Sequence, residues 1–370
     1  MLERTDWQYE TMKDICYVNQ GFQINIEKRE KHKRKNNKIY ITIQHLNGVG
    51  DNEYIKDIDH NDSVVCSPDD VLMTRTGNTG RVVTGVSGVF HNNFFRINFD
   101  RSRIDKDYLV YYLNQKNIQN LILEKAGAST IPDLNHGDFY SIPFNYPKEL
   151  KEQRRIAKTL TNIDNLIDLM TLLIEKKVNI RNGIIYKIFN EKNNWKKIEL
   201  KHVLQYEQPS KYIVFNTDYV NSGIPVLTAG KSFILGYTNE NTGIYNKGKC
   251  ILFDDFTTDI KKVNFKFKVK SSAVKMLTPV NDNYDLDFLY YAMSNINYVP
   301  VTHNRHWISI YSKFEIFIPN TLEEQKKISS ILINADNEIE VLKEKLSKYQ
   351  KIKDGMMEDL LTGKVRLSYE

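Results

Sequence analysis

The chain has 370 residues and a mass of 43.4 kDa, a length typical of two or three domains. Apolar residues make up 41% and charged residues 26%, values that are ordinary for globular proteins and exclude wholesale disorder. The net charge of +6 is concentrated in one place: residues 28–38 hold seven basic side chains and one acidic side chain, so the other 359 residues are neutral in sum.

Secretory, membrane and metal-binding classes are also excluded. The N-terminus lacks the apolar core of a signal peptide, and no uninterrupted apolar stretch approaches about 18 residues. Cys16, Cys66 and Cys250 lie far apart, with no pair at the spacing of zinc ligands. The sequence therefore predicts a cytoplasmic protein without a membrane span, a disulfide framework or a metal site.

The first predicted domain, residues 1–146, opens at Trp7 and is rich in β-type runs and turn residues. The runs cover 39–43, 71–74 and 94–99, and a short helical stretch covers 108–113. The basic segment 28–38 indicates either a solvated loop or an arm that contacts nucleic-acid phosphates without reading sequence. We favour the arm, whose candidate contacts are Lys31, Lys33, Arg34 and Lys35.

A second candidate in this domain is the loop that follows the run 71–74. Its sequence, Thr-Arg-Thr-Gly-Asn-Thr-Gly-Arg, offers glycines that let backbone amides approach a phosphate, and arginines that can contact phosphate or guanine. An ordinary hairpin turn is the alternative. We expect the loop to contact nucleic acid or to support such a contact, through Thr74, Arg75, Thr76, Asn78, Thr79 and Arg81.

The segment 147–190 is predicted to be a long helix, and it matches the segment 319–362 without a gap. Thirteen of the 44 aligned positions are identical, among them Gln153/Gln325 and Asp164/Asp336, whereas about two or three identities are expected by chance. Apolar residues recur in both segments at spacings of three and four, the heptad pattern of a coiled coil. Helices of about 40 residues extend roughly 60 Å. This duplication predicts an internal antiparallel coiled coil.

The second predicted domain, residues 191–318, repeats the plan of the first but not its sequence. It opens at Trp195 and has β-type runs at 224–228 and 250–253 and a helical stretch at 288–293. It lacks the Arg-Thr-Gly-Asn-Thr-Gly loop, for which residues 248–258 are the nearest counterpart. The candidate contacts in this domain are Lys231, Thr257, Thr258, Lys261, Lys262, His303, Arg305 and His306.

Three polar segments of this domain have alternative interpretations. The sequence Ala-Gly-Lys-Ser at 229–232 ends like a phosphate-binding loop, but Pro225 stands where the first glycine is required. In 265–270, alternation places lysines on one face of a predicted strand, either as a solvated face or as a phosphate track. The segment 303–307 combines two histidines with polar groups, and it lacks nearby ligands that would complete a metal site.

The last segment, residues 319–370, is the second long helix, and Gly363 is placed to cap its C-terminus. The predicted domains are therefore 1–146, 147–190, 191–318 and 319–370. We predict an α/β fold in which two globular domains are separated by two long helices that form an antiparallel coiled coil, with a pseudo-two-fold internal repeat.

Five stretches of sequence carry a family resemblance. The helix openings read Glu-Gln-Arg-Arg-Ile at 152–156 and Glu-Gln-Lys-Lys-Ile at 324–328, and the chain nears its end with Leu-Leu-Thr-Gly-Lys-Val-Arg at 360–366. Together with residues 70–80 and 127–131, these stretches resemble the specificity subunits of type I restriction-modification systems and their target recognition domains. The resemblance covers nearly the whole chain, in the order of the family.

This resemblance implies a protein that recognises DNA and has no catalytic centre. Members bind a bipartite sequence in double-stranded DNA, one half per target recognition domain, and recruit two methyltransferase subunits, with restriction subunits in the full complex. S-adenosylmethionine (AdoMet) and ATP are then expected only on the partner subunits. The resemblance adds Ser129 and Thr130 to the DNA-contact candidates. It also makes the helix openings candidates for partner docking, through Glu152, Gln153, Arg154, Glu324, Gln325 and Lys326.

Two alternatives stay open. The chain could be the recognition part of a fused restriction-methylase, although it opens directly on a globule at Met1 and lacks both the glycine-rich cofactor loop and the Asn-Pro-Pro-Tyr type of motif of adenine methyltransferases. It could also be a coiled-coil scaffold that binds only proteins. The local basic segment and the divergence of the two globules favour DNA recognition.

Overall fold

A computed structural model describes residues 6–49, 51–56, 62–127, 130–190, 194–228, 230, 232–300 and 305–367. The chain divides into two compact units. The first unit comprises Met1–Met170 and Lys345–Glu370, and the second unit comprises Thr171–Glu344. Among the described residues, no helix combines the length and the apolar character needed to cross a membrane.

The first unit combines short strands with short helices and with one half of each long helix. Its strands are β1 (Trp7–Thr11), β2 (Cys16–Gln20), β3 (Asn37–Ile41), β4 (Tyr54–Lys56), β5 (Val65–Cys66), β6 (Val71–Thr74), β7 (Val82–Val83), β8 (Gly88–Phe90), β9 (Phe94–Phe99) and β10 (Pro143–Pro147). Its helices are α1 (Met12–Ile15), α2 (Ile43–Leu46), α3 (Lys106–Leu113), α4 (Lys116–Ala126), α5 (His136–Tyr140) and α6 (Leu150–Asn190), which continues into the second unit.

These strands form small sheets rather than one large one. An antiparallel sheet has the order β2-β9-β6-β7, a mixed sheet has the order β4-β3-β8-β5 with β3 and β8 parallel, and β1 pairs with β10. The main core lies between the first of these sheets and the helices, where Val71 and Phe95 pack with Tyr108 of α3, Phe139 of α5 and Leu160 of α6.

The second unit has the same architecture. Its strands are β11 (Lys196–Glu199), β12 (Leu204–Glu207), β13 (Ile224–Leu227), β14 (Ile234–Thr238), β15 (Cys250–Asp254), β16 (Ile260–Val263), β17 (Lys268–Val269), β18 (Val274–Pro279) and β19 (Glu315–Ile318). Its helices are α7 (Leu286–Ser294), α8 (His306–Ser309) and the first half of α9 (Leu322–Leu361).

The two units match strand for strand over most of their sheets. The order β12-β18-β15-β16 repeats β2-β9-β6-β7, the pair β11-β19 repeats β1-β10, and β14-β13-β17 repeats β4-β3-β8 with its parallel pair. One fold is therefore present twice, although the sequences of the two globules have diverged.

The long helices pair in an antiparallel manner within each unit, as the heptad pattern predicted. In the first unit, Asp164 of α6 forms an ion pair with Lys353 of α9, and in the second unit Arg181 of α6 forms one with Asp336 of α9. The ends of the helices enter the cores of the globules. Repeat-related residues lie in equivalent places, because Leu160, Met357 and Leu361 are buried in the first unit and Leu332, Ile185 and Phe189 in the second.

Each long helix is attached to its globule through a buried glutamine. Gln153 Oε1 accepts a hydrogen bond from the backbone N–H of Asp105 at 2.8 Å, and its amide Nε2 donates to the carbonyl oxygens of Arg103 and Pro147, both at 2.8 Å. Gln325 repeats this set with the N–H of Asp285 at 2.9 Å and with the carbonyls of Asn283 and Pro319. Because Asp105 and Asp285 cap α3 and α7, each glutamine joins the start of a long helix to the start of a globule helix.

Two details differ from the sequence-based predictions. The predicted run 39–43 ends as a strand at Ile41, because the Thr42 hydroxyl accepts a hydrogen bond from the His45 N–H at 3.1 Å and caps α2. The predicted alternation of 265–270 is present only in part: Lys266 and Lys270 are exposed, but Lys268 is fully buried and Phe265 is 40% exposed. The Lys268 ammonium group pairs with Glu240 at 2.7 Å. The predicted cap is present: α9 ends at Leu361, and Gly363 has a φ of 67°, in the left-handed region.

We predict that Gln153→Ala lowers the free energy of unfolding by about 2 kcal/mol, because it leaves buried backbone groups without their hydrogen-bond partners. Urea unfolding of the full chain measures the effect. Lys151→Ala, at an exposed position of the same turn, is the matched control and should change stability by less than about 0.5 kcal/mol. Equal effects of the two substitutions would contradict the role given to Gln153.

Candidate nucleic-acid interface

The hairpin between β6 and β7, residues 74–81, is the first hairpin loop. Its position is fixed by Asp133, whose Oδ2 lies 2.8 Å from an Arg75 guanidinium nitrogen and whose Oδ1 accepts a hydrogen bond from the Thr76 hydroxyl. The backbone of Arg75 also pairs with Leu134, since the Leu134 N–H donates to the Arg75 carbonyl at 2.9 Å. The segment that precedes α5 therefore holds the loop in one conformation.

Several side chains of the first hairpin loop make internal contacts, which fits the supporting role that the sequence analysis left open for them. Thr74 is fully buried and its hydroxyl donates to the Asn78 carbonyl at 2.6 Å, while the hydroxyl of the buried Thr79 donates to the Pro132 carbonyl at 2.7 Å. Arg81 donates to Asn47 Oδ1 at 2.6 Å. The buried Thr74 and Thr79 therefore shape the loop and support the contact surface, whereas Arg81 is half-buried and stays a candidate for contact.

Asn78 is the exposed residue at the tip of this loop. Its φ of 59° lies in the left-handed region, which asparagine tolerates better than most residues with a side chain. The tip therefore presents one amide group on a rigid base. Thr130 is also exposed, whereas Ser129 lies outside the described residues.

The middle of the basic segment is accessible to solvent. Lys31, Lys33, Arg34 and Lys35 are all exposed, and Arg34 makes a loose ion pair in which a guanidinium nitrogen lies 3.6 Å from Glu30 Oε1. These residues follow the structural Arg29, which pairs with Glu53 at 2.9 Å and is largely buried. With Lys28, which is also exposed, the segment therefore offers five exposed cations beside the anchored Arg29.

The hairpin between β15 and β16, residues 254–259, is the second hairpin loop and corresponds to the first by strand order. Asp254 Oδ1 accepts hydrogen bonds from the N–H groups of Phe256 and Thr257 at 2.9 and 3.0 Å, which closes the turn. Thr257 is exposed, and Thr258 has a φ of 60°, a strained value for a β-branched residue. The Thr258 hydroxyl donates to the Thr257 carbonyl at 2.7 Å, so the loop presents the hydroxyl of Thr257 where the first presents an amide.

A buried ion pair supports the second hairpin loop. Asp255 is fully buried, and its Oδ2 lies 2.9 Å from the ammonium nitrogen of Lys275, which is 1% exposed. Asp255 also accepts hydrogen bonds from the N–H groups of His306 and Trp307, both at 2.9 Å. The start of α8 therefore holds this loop as the segment before α5 holds the first one.

Two candidate contacts of the second unit are structural instead. His306 is 1% exposed and its ring lies 3.1 Å from the Tyr298 hydroxyl, so it is packed inside the globule and cannot reach DNA. Lys262 pairs with Asp287 of α7 at 2.5 Å. Burial alone would raise the pKa of Asp287, but Lys262 and Lys249 together hold it below its ordinary value. The negative charge on Asp287 therefore keeps Lys262 in place.

The remaining candidates in this unit are divided between accessible and undescribed positions. Arg305 is exposed at the start of α8, beside the second hairpin loop, and Lys261 is half-buried. Lys231 and His303 lie outside the described residues.

The helix openings leave few side chains for partner docking. Gln153 and Gln325 are buried in the joints described above, and Glu152 is buried against Arg366, whose guanidinium lies 2.6 Å from Glu152 Oε2. These three side chains are thus corrected to structural roles. Arg154, Glu324 and Lys326 are exposed and stay candidates, although Glu324 also accepts a hydrogen bond from the indole N–H of Trp195 at 3.1 Å.

Sequence reasoning missed the residues that hold the two loops, namely Asp133, Asp255 and Lys275. A lysine between apolar neighbours in Val274-Lys275-Met276 is a usable signal, because a charge within an apolar run must find a buried partner. Asp133 gives no comparable signal, since its partners come from a hairpin far away in sequence.

The chemistry of the described residues is that of binding. They contain no group of three or more His, Cys, Asp or Glu side chains that could hold a metal ion. Burial raises the pKa of the Cys16 and Cys250 thiols to about 12 and that of Cys66 to about 11, so these thiols stay protonated and unreactive at neutral pH.

Comparison with known proteins gives a consistent result. Residues 4–179 and 192–350 match a family described as the type I restriction modification DNA specificity domain. The specificity subunit of the type I restriction enzyme EcoR124I/EcoR124II from Escherichia coli is 47% identical over 138 residues, a match that covers 36% of this chain and 34% of that protein. The MjaVIII specificity subunit from Methanocaldococcus jannaschii is 22% identical over 89% of this chain and 86% of its own length.

The fold has a solved counterpart. The crystal structure of a type I restriction-modification S subunit from M. genitalium superposes with a TM-score of 0.64, over 100% of this chain and 99% of that chain, at 16% sequence identity. At this identity the likeness concerns the fold.

We predict that Lys275→Met lowers the free energy of unfolding by about 3–5 kcal/mol, because it leaves the Asp255 carboxylate buried without its counter-charge. The double variant with Asp255→Asn should regain at least about 1 kcal/mol, since the uncompensated charge is then removed. Denaturant unfolding compares both variants with Lys270→Met, an exposed position. A double variant no more stable than Lys275→Met would contradict this role of the ion pair.

Proposed function

The chain belongs to the type I restriction-modification DNA specificity family, and on that premise we propose that each of its globules reads one half of a bipartite DNA target. The family is the non-catalytic, DNA-recognition component of its systems. Specificity subunits act together with methyltransferase and restriction subunits, so recognition and catalysis belong to different chains.

One observation carries the two-half proposal. The same fold occurs twice around a duplicated helix pair, yet the equivalent hairpin loops present different groups. Asn78 is exposed on the first loop, and Thr257 and Arg305 are exposed on and beside the second. Amide, hydroxyl and guanidinium groups discriminate different base edges in the major groove. Two unequal half-sites require different chemical groups at equivalent positions of the two globules. We expect the half-sites to lie about one helical turn apart.

The basic segment has a different part in this proposal. The segment lies on the first globule only, and a run of exposed cations attracts DNA phosphates whatever the base sequence is. We expect it to add affinity that decreases with salt, while the loops determine the sequence that is bound.

The outer surfaces of the long helices support the docking of two methyltransferase subunits. Leu169 and Ile180 of α6 are 64% and 48% exposed, and their repeat-related residues on α9, Val341 and Ile352, are 49% and 38% exposed. Exposed apolar side chains at related places on both helices suit two copies of the same partner. In this proposal AdoMet is bound by the methyltransferase subunits and ATP by the restriction subunits.

The half-site proposal predicts that substitutions in one loop alter one half of the target only. Asn78→Gly preserves the left-handed backbone and removes the amide, so we expect about a tenfold loss of affinity and relaxed choice at one half-site. Thr257→Ala should relax the other half. Selection of bound duplexes from a randomised DNA library, using the full complex with its methyltransferase subunits, measures both.

Asn239→Gly, a substitution outside both hairpin loops, serves as the control and should leave the selected sequence unchanged. If Asn78→Gly altered both halves equally, or neither, the assignment of one half-site to each globule would fail.

The docking proposal predicts a change of stoichiometry. Replacing both Leu169 and Ile352, which belong to the first unit, by lysine should remove one of two methyltransferase subunits, because burial of each apolar side chain strengthens binding by about tenfold or more. Replacing their repeat-related residues in the second unit, Val341 and Ile180, should remove the other. Native mass spectrometry of the purified complex counts the subunits, with Asn165→Lys, an exposed polar position of α6, as the control. Two methyltransferase subunits bound to either lysine variant would exclude this surface.

A further inference from the structure

Two groups of three side chains, one in each unit, join the long helices to the globules at a second point. The first triad consists of Asp164 of α6, Lys353 of α9 and Tyr111 of α3. The Asp164 carboxylate lies 2.6 Å from the Lys353 ammonium nitrogen and accepts a hydrogen bond from the Tyr111 hydroxyl at 2.8 Å. One carboxylate therefore binds both the other long helix and the globule.

The second triad has the same construction with the helices exchanged. Asp336 of α9 accepts hydrogen bonds from Arg181 of α6, with 2.9 Å between Nε and Oδ1, and from the Tyr291 hydroxyl of α7 at 2.6 Å. The Arg181 guanidinium also lies over the Tyr291 ring, 5.7 Å from its centre. Asp336 thus makes the same two connections as Asp164.

The triads are related by the internal repeat. The shift that aligns the two long helices superposes Asp164 on Asp336 and Arg181 on Lys353, so each helix supplies the acid of one triad and the base of the other. Tyr111 and Tyr291 occupy the same position relative to Asp105 and Asp285, the residues that cap their helices. The triads match between the two units, although the sequences of the globules have otherwise diverged. This match indicates that both units use the same arrangement.

The hydroxyl groups are well suited to act as permanent donors. Burial raises the pKa of Tyr111 to about 12, and burial followed by the Asp336 hydrogen bond raises that of Tyr291 still further. Both phenols therefore stay protonated at neutral pH. A hydrogen bond to a carboxylate is stronger and more directional than contact between apolar side chains. The apolar contact tolerates sliding along a heptad seam, and the hydrogen bond does not.

We propose that Asp164 and Asp336 are positioning residues that fix the register at which each globule is attached to the paired helices, and thereby set the DNA spacer length that the protein accepts. An apolar heptad pattern repeats every seven residues, so the seam alone can also pair in shifted registers, and polar residues specify one of them. An acidic side chain that is bonded to both the partner helix and the globule selects one of these registers. This inference rests on the proposed function, since a spacer exists only if two half-sites are read.

The experiment uses duplexes that carry both half-sites of the wild-type target, with the spacer kept or changed by one or two base pairs. The full complex with its methyltransferase subunits is tested as wild type, Asp336→Asn, Tyr291→Phe, Asp164→Asn and Tyr111→Phe. The tyrosine substitutions remove only the connection to the globule and preserve the ion pair between the helices. Asp168→Asn and Tyr186→Phe, both at exposed positions of α6, are the matched controls.

For the triad variants we expect discrimination between the kept and changed spacers to fall by about tenfold, the scale of one hydrogen bond to a charged group. Affinity for the kept spacer and thermal stability should change much less. A purely structural role predicts weaker binding to all duplexes in equal proportion and an unchanged spacer profile, and that result would overturn the inference. If the wild-type complex bound duplexes with a single half-site as tightly as duplexes with both, the proposed function itself would be contradicted.

Discussion

The structure depends on how each globule is joined to its helix, and this joint begins with a buried glutamine. Gln153 and Gln325 each use both ends of the side-chain amide, accepting from the N–H at the start of a globule helix and donating to backbone carbonyls. An unpaired amide in these places would be costly, so the direction of the helix is fixed where it leaves the globule. The pairing of the long helices and the packing of their ends in the cores of both units depend on that direction.

The two globules share a repeated scaffold, and each carries its own surface at its hairpin loop. The sheets β2-β9-β6-β7 and β12-β18-β15-β16 have the same order, and each has a hairpin at the equivalent edge, β6-β7 or β15-β16, that carries one of the two hairpin loops. The support of each loop nevertheless differs: Asp133 holds the first through an ion pair with the partly exposed Arg75, and Asp255 holds the second through a fully buried pair with Lys275. Different internal supports allow different exposed groups on a common frame, which is the property a two-part recognition protein needs.

Regular structure is predictable from this sequence, and individual polar contacts are not. The duplicated heptads identify the two long helices, and the local sequence patterns identify α3, α7 and the strands β3, β6, β9, β13 and β15, because the burial of side chains follows the period of a helix or a strand. The other short strands and helices have too few residues to show such a period. Gln153, Gln325 and Glu152 are expected on an outer surface because polar side chains near a helix start usually face water. Their burial depends on Asp105, Asp285 and Arg366, which are distant in sequence. The same limit applies to Lys262, whose partner Asp287 is distant in sequence and is brought near by the fold.

Above all, we propose that one chain supplies both halves of a single bipartite DNA target. Mapping modified bases across the genome of a strain that carries this gene, before and after its deletion, tests this proposal most directly. We expect one motif of two specific parts, separated by a spacer of constant length, whose modification disappears completely on deletion. A modification pattern unchanged by the deletion, or the loss of one continuous motif without a spacer, would contradict it.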